Sequence, residues 1–174
     1  MNREKHSPTL VGTTKHLVVY YSRSGTTKKV GEAIARELKA DSEEIIDLKK
    51  RTGLRPIRWL IAGRDARKRK LTEIKVKKNP GKYDIVVIGT PNWASNIAPA
   101  VRTYLTSHYL AGKKVGIFCT AGGDGFEKPL AEMEGLMKKS IIAGRVGVSS
   151  KEMNSGDYKD KVTSFTKILK SGKK

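Results

Sequence analysis

"YYSRSGTTKK", residues 20–29, joins an apolar run to a helix-like run and packs Ser22, Ser24, Gly25, Thr26 and Thr27 into one bend. Before the bend, residues 16–22 are short, β-branched and aromatic, the pattern of a buried strand. After it, Val30, Ala33, Ile34 and Leu38 fall three or four apart, which predicts one face of a helix ending near Asp41. A bend at a strand-to-helix junction aims backbone N–H groups at one point, with the helix dipole behind them. The hydroxyls of Ser22, Ser24, Thr26 and Thr27 add neutral donors, and Gly25 lets the backbone approach a ligand closely. Such a bend suits a phosphate dianion. It suits equally a plain helix N-cap by Ser24 or Thr26. The GxxxxGK[ST] and GxGxxG phosphate patterns are both absent from the chain.

The change from strand period to helix period recurs along the chain. Residues 44–48 read as a second strand, and "YDIVVIG" (83–89) and "KVGIFCT" (114–120) as buried strands. A Gly/Pro/Asn-rich turn follows each of the last two, and then helical spacing over 98–109 and 126–139. A fifth strand is expected around 145–149, a closing helix over 157–169, and a basic tail over 170–174. Five strands alternating with helices predict an α/β fold, a parallel sheet covered on both faces. One domain is expected over 15–174, after a polar extension at 1–14. Ligands of such sheets bind at the carboxyl ends of the strands, where strand order reverses. That selects three loops: 22–27, 90–96 and 120–126.

In the second loop, "TPNWASNIAP", Trp93 stands at the tip of a Pro/Asn turn. Its indole either stacks on a planar ligand, with Asn92, Ser95 and Asn96 as polar edges, or folds back onto the core. The third loop, "TAGGDG", has glycine at 122, 123 and 125, which exposes backbone N–H groups to the edge of a flat ligand.

Together the three loops resemble those of the flavodoxin family. "YYSRSGTTKK" is similar to that family's phosphate loop, S-x-[ST]-G-[NT]-T, while "IGTPNWASNIAPAVRTYL" and "IFCTAGGDG" resemble its two flavin-contacting loops, in the same order. The resemblance runs from Leu17 towards the C-terminus. It implies a doubly wound, five-stranded parallel sheet of order 2-1-3-4-5 with bound FMN. By position, Ser22, Ser24, Gly25, Thr26 and Thr27 would hold the phosphate, with Arg23 among them. Trp93, with Asn92, Ala94 and Ser95 and flanked by Pro91 and Asn96, would border the isoalloxazine. Thr120, Ala121, Gly122 and Gly123, followed by Asp124, would line its pyrimidine edge. The implied role is electron transfer through flavin to a redox partner protein, or an NAD(P)H- or quinone-linked flavoenzyme. Two departures stand out. Familiar electron-carrier flavodoxins are acidic, and many stack a second aromatic from the third loop, where this chain offers only Phe126 nearby.

The formal net charge is +19 on 174 residues. Residues 49–82 alone hold fourteen Lys/Arg against Asp65 and Glu73. A field of that size attracts an acidic protein, nucleic acid or an anionic membrane. No nucleic-acid-reading motif accompanies it. Within this segment Pro56, Ile57, Trp59, Leu60 and Ile61 predict a short helix with a proline start, packed on the sheet, its apolar stripe broken early at Gly63. The basic cluster Arg67, Lys68, Arg69 and Lys70 would then face water. A helix lying on an anionic membrane is the rival reading. His6, His16 and His108 are scattered, which argues against a metal site. The single cysteine, Cys119, excludes an internal disulfide, falls on a predicted buried strand and suits a reducing cytoplasm.

Overall fold

The computed structural model describes residues 14–49 and 55–171, with side chains described from residue 60 onward in the second stretch. In chain order the strands are β1 (His16–Tyr20), β2 (Asp41–Glu44), β3 (Ile46–Asp47), β4 (Ile74–Lys75), β5 (Ile85–Pro91), β6 (Lys114–Ala121) and β7 (Ile141–Ser149). The helices are α1 (Thr26–Leu38), α2 (Arg55–Arg67), α3 (Pro99–Ser107), α4 (Glu127–Leu136), α5 (Ser150–Ser155) and α6 (Tyr158–Lys170). Five strands pair in parallel in the order β2-β1-β5-β6-β7, while β3 and β4 form a separate antiparallel pair. Counting only the main sheet, that is the expected order 2-1-3-4-5.

Alternation along β1 divides the core. Leu17 and Val19 join Val86, Ile88, Ile117 and Cys119 under α3 and α4, through Val101, Tyr104, Leu130 and Met133. Val18 and Tyr20 join Val87, Phe118 and Val148 under α1 and α6, through Val30, Ile34, Leu38, Val162, Phe165 and Leu169. Strands covered on both faces carry no polar period, which is why 85–89 and 115–119 are uninterrupted apolar runs. Among the described residues no helix is long and apolar enough to cross a membrane.

Several expectations need correction. The second ladder strand is "DSEE" at 41–44, not 44–48; the apolar residues that suggested the later position are Ile45, buried beyond the strand end, and Ile46 and Leu48, which are exposed. The strand expected at 145–149 begins at Ile141 and carries a register shift against β6 that leaves Ala143 without a partner. Helix α2 runs from Arg55 through Gly63 to Arg67, longer than the short apolar helix expected. Its buried side holds Ala62, Asp65 and Ala66, with Lys49 Nζ 2.8 Å and Lys70 Nζ 3.7 Å from the Asp65 carboxylate. Leu60, expected to pack on the sheet, is 73% exposed. The side chains of Pro56, Ile57 and Trp59 lie outside the described residues, as do residues 1–13 of the polar extension and 172–174 of the basic tail.

Candidate functional site

β1, β5 and β6 point their carboxyl ends at one edge of the sheet, between β1 and β5 where the strand order reverses. The first loop turns there into α1. Gly25 is the N-cap residue, at φ 92 in the left-handed region that glycine adopts without a Cβ penalty. Among the described residues no side chain caps α1, and no acid sits in its first turn. Ser22 Oγ instead accepts the Gly25 N–H at 3.2 Å, so neither Ser24 nor Thr26 is the N-cap. Ser24 and Gly25 are exposed, and Ser22 and Thr26 are half-buried. The start of α1 thus offers uncompensated N–H groups beside hydroxyls, the condition for holding an anion. Thr27 differs: it is buried, and its hydroxyl pairs with that of Thr120 at 2.7 Å.

The second loop is a two-residue turn. Trp93 and Asn96 exchange backbone hydrogen bonds (2.9 and 3.1 Å) across Ala94 and Ser95, both at positive φ (52 and 62). Asn and Gly are the usual residues there. Holding a β-carbon in that region at both positions costs of order 1–2 kcal/mol each. Side chains secure the turn: Asn92 Oδ1 accepts the Ser95 N–H at 2.8 Å, and Asn96 Nδ2 donates to the Ala94 carbonyl. Thr90 Oγ1 accepts the Ala98 N–H at 3.1 Å behind it. Trp93 is 8% exposed, edge-on to Tyr21 with ring centroids 5.5 Å apart, and the Arg23 guanidinium lies 4.9 Å over its ring. The indole is therefore both a core residue and a wall of the opening.

The third loop is tied to the second. Asn92 N–H donates to the Thr120 carbonyl at 2.7 Å, and Asn92 Nδ2 to the Gly125 carbonyl at 2.7 Å. Gly122 and Gly123 are exposed and have open space where a Cβ would stand. Phe126 turns away from the opening: its ring lies where a Cβ on Gly147 would be, 2.3 Å from that position, with Lys161 Nζ 5.8 Å above it.

The resulting cleft is lined by Arg23, Ser24, Thr26, Thr27, Pro91, Asn92, Trp93, Thr120, Ala121 and Gly122. Ser22, Gly25, Ala94, Ser95, Asn96, Gly123 and Asp124 belong to the same loops but not to its wall. Ser150 does line it, and sequence reasoning missed it. Its signal was available: Ser149 and Glu152 form a capping box that starts α5 directly after β7. Behind the second loop, Glu132 of α4 accepts the Ile97 N–H at 3.0 Å and pairs with Arg102 of α3. Cys119 is fully buried, and burial pushes its thiol up to about 12, so it is a core residue and no nucleophile. Among the described residues no cluster of His, Cys, Asp and Glu is arranged to hold a metal ion.

The model of the flavodoxin family matches residues 15–168. Among solved structures, the chain is similar to a flavoprotein from Bacteroides uniformis ATCC 8492, at 23% identity and a TM-score of 0.70, covering 88% of this chain and 98% of that one. It is also similar to a flavoprotein in complex with FMN from Lactobacillus acidophilus NCFM, at 23% identity and a TM-score of 0.66, covering 82% and 97%. An NADH:FMN oxidoreductase in its apo form aligns at 16% identity and a TM-score of 0.57, covering 90% and 88%. No curated protein matches the sequence. These likenesses show the fold, and the family match over nearly the whole described chain shows the lineage: the chain belongs to the flavodoxin family.

Proposed function

We propose that this chain is an FMN-dependent redox protein, a single domain over 15–174, that passes electrons through bound flavin to a partner protein. FMN follows from the family, and the observation that carries the rest is the uncapped start of α1 among exposed hydroxyls at the carboxyl edge of the sheet. When bound, FMN supplies the redox chemistry; the protein binds, orients and tunes it. Ser22, Ser24, Gly25, Thr26 and the backbone of Thr27 hold the phosphate. Asn92, Trp93, Ala94 and Ser95 border the isoalloxazine, and Thr120, Ala121, Gly122 and Gly123 meet its pyrimidine edge. Arg23 is exposed, so its guanidinium can leave the Trp93 ring at little cost. Mass and absorbance of the small molecule released on denaturing the purified protein test the assignment; a chain that releases no FMN and binds none overturns it.

A second reading, an NAD(P)H- or quinone-linked FMN oxidoreductase, is favoured by one observation. Phe126 is seated on Gly147, so among the described residues the third loop brings no ring over the cleft. An open flavin face admits a small donor or acceptor. Steady-state NAD(P)H consumption with a quinone acceptor separates the two readings. The single buried thiol fits a reducing, cytoplasmic setting, which we adopt.

Trp93→Ala is expected to weaken FMN by ~0.5–1.5 kcal/mol beyond the buried area lost, and to brighten whatever flavin remains bound. Fluorescence titration reads both. Unchanged affinity and emission would leave Trp93 a core residue alone.

The basic segment supplies the partner's sign. Lys68 and Arg69 are exposed just past α2, and an acidic partner is drawn to them. Lys68→Gln with Arg69→Gln is expected to slow reduction of or by an acidic partner several-fold at low salt. The difference should vanish at high salt, because a Debye length of ~8 Å at physiological salt already screens distant charges. Stopped-flow traces across a salt series check this; a rate independent of salt would remove the segment from docking. A chain that binds no flavin yet holds nucleic acid or anionic vesicles would instead make it a binding module.

A further inference from the structure

Beside the cofactor cleft lies a second opening, of about 450 Å³, between α2 and the second loop. Leu60, Gly63, Trp93 and Ala94 form its walls, and the Arg23 and Arg67 side chains stand at its rim. Arg23, Asn92 and Trp93 line both openings, so the two adjoin at Trp93. From the sequence, residues 49–82 gave a short helix on the sheet and a basic cluster facing water, with no contact to the flavin loops named. In fact α2 is in contact with the second loop: a Cβ on Gly63 would sit 3.7 Å from that of Ala94. Leu60 and Ala94 are exposed there, and none of the described side chains lining the opening is acidic. The size is that of a small-molecule site, and apolar walls with a few polar groups are its usual make-up.

We propose that this opening binds a planar aromatic acid, a flat carbocycle bearing one anionic substituent, against the outer side of Trp93. The flat body lies between Leu60 and Ala94 with Trp93 at its end, and the anionic group meets the Arg23 and Arg67 guanidiniums at the rim. Guanidinium is the group suited to a carboxylate, because its planar fork gives two parallel charge-assisted hydrogen bonds. A Cβ at Gly63 would meet that of Ala94 at an ordinary 3.7 Å, so it takes a long side chain there, such as leucine, to fill the opening. The site rests on the neighbouring cleft being the FMN site, and gives the chain a ligand of its own next to the flavin.

The test is calorimetric titration of the FMN-loaded full chain with 2-naphthoate and with its neutral counterpart, 2-naphthalenemethanol. Saturable binding of 2-naphthoate, about tenfold or more tighter than the alcohol, is expected from the charge-assisted pair. Arg67→Gln should erase that preference, and Gly63→Leu should abolish binding of both probes while FMN affinity, read in parallel, stays put. No saturable binding overturns the proposal. So does binding that survives both substitutions, which would be adsorption to a basic surface, and so does a Gly63→Leu chain that loses FMN as well, which would make the opening part of the cofactor cleft. A chain that takes up no FMN yet binds 2-naphthoate with both sensitivities keeps the pocket and retires the cofactor reading. An FMN-loaded chain indifferent to 2-naphthoate retires the pocket alone.

Discussion

Ser24→Asp is expected to weaken FMN binding about a hundredfold or more while leaving riboflavin nearly untouched. The proposed phosphate site consists of neutral donors: hydroxyls, backbone N–H groups and the positive end of α1. A carboxylate placed there meets the dianion at close range. Two like charges ~4 Å apart repel by about 4 kcal/mol at an effective dielectric of 20, and partial exposure of Ser24 leaves roughly 2–3 kcal/mol of that. Riboflavin lacks the phosphate and does not feel the charge. For the same reason the parent protein should prefer FMN over riboflavin by a wide margin. Titration of both flavins into both proteins checks this; equal affinity in the parent would remove the first loop from the site.

Glu132→Ala is expected to be the most destabilising single change near the site, by about 3–5 kcal/mol. The Arg102 and Glu132 side chains are only 7% and 13% exposed. Removing the carboxylate strands a guanidinium that burial already pushes below its usual basicity. It also strips the acceptor from the Ile97 N–H, just past the Trp93–Asn96 turn. Glu132→Gln keeps that acceptor and the shape, and should cost clearly less. Arg102→Met with Glu132→Gln should recover much of the loss, because no charge is then left buried. Urea unfolding of the three variants decides. A Glu132→Ala loss under 1 kcal/mol would mean that water reaches the pair.

The central strands and the three loops were readable because doubly buried parallel strands spell out unbroken apolar runs, and turn residues end them. The edge strand was not. "DSEE" pairs only with β1, and its residues are exposed or half-buried, so it carries no hydrophobic pattern, whereas Ile45 and Ile46 beside it do. The two-residue strands β3 and β4 are shorter than any period can register. Helix α2 was legible only in its apolar first half; it continues through Gly63, where an added Cβ would meet that of Ala94 at an ordinary 3.7 Å. Trp93 was left between stacking and core; it is buried with the core and also lines the cleft. Which hydroxyls were free could not be read at all. Thr27 looks like Thr26 in sequence, but its partner Thr120 stands 93 residues away.

That hydroxyl pair changes what the apoprotein is. Thr27 and Thr120 clasp the first loop to the third, and Asn92 clasps the third to the second, all through the protein's own groups. Lacing of this kind charges the entropy of ordering three loops to folding rather than to cofactor capture. Uptake of FMN by such a scaffold resembles a key entering a cut lock. Its association rate should follow flavin concentration linearly without levelling off, and the small negative heat-capacity change should match the buried flavin surface alone. The loops then have little slack to lose when the flavin leaves.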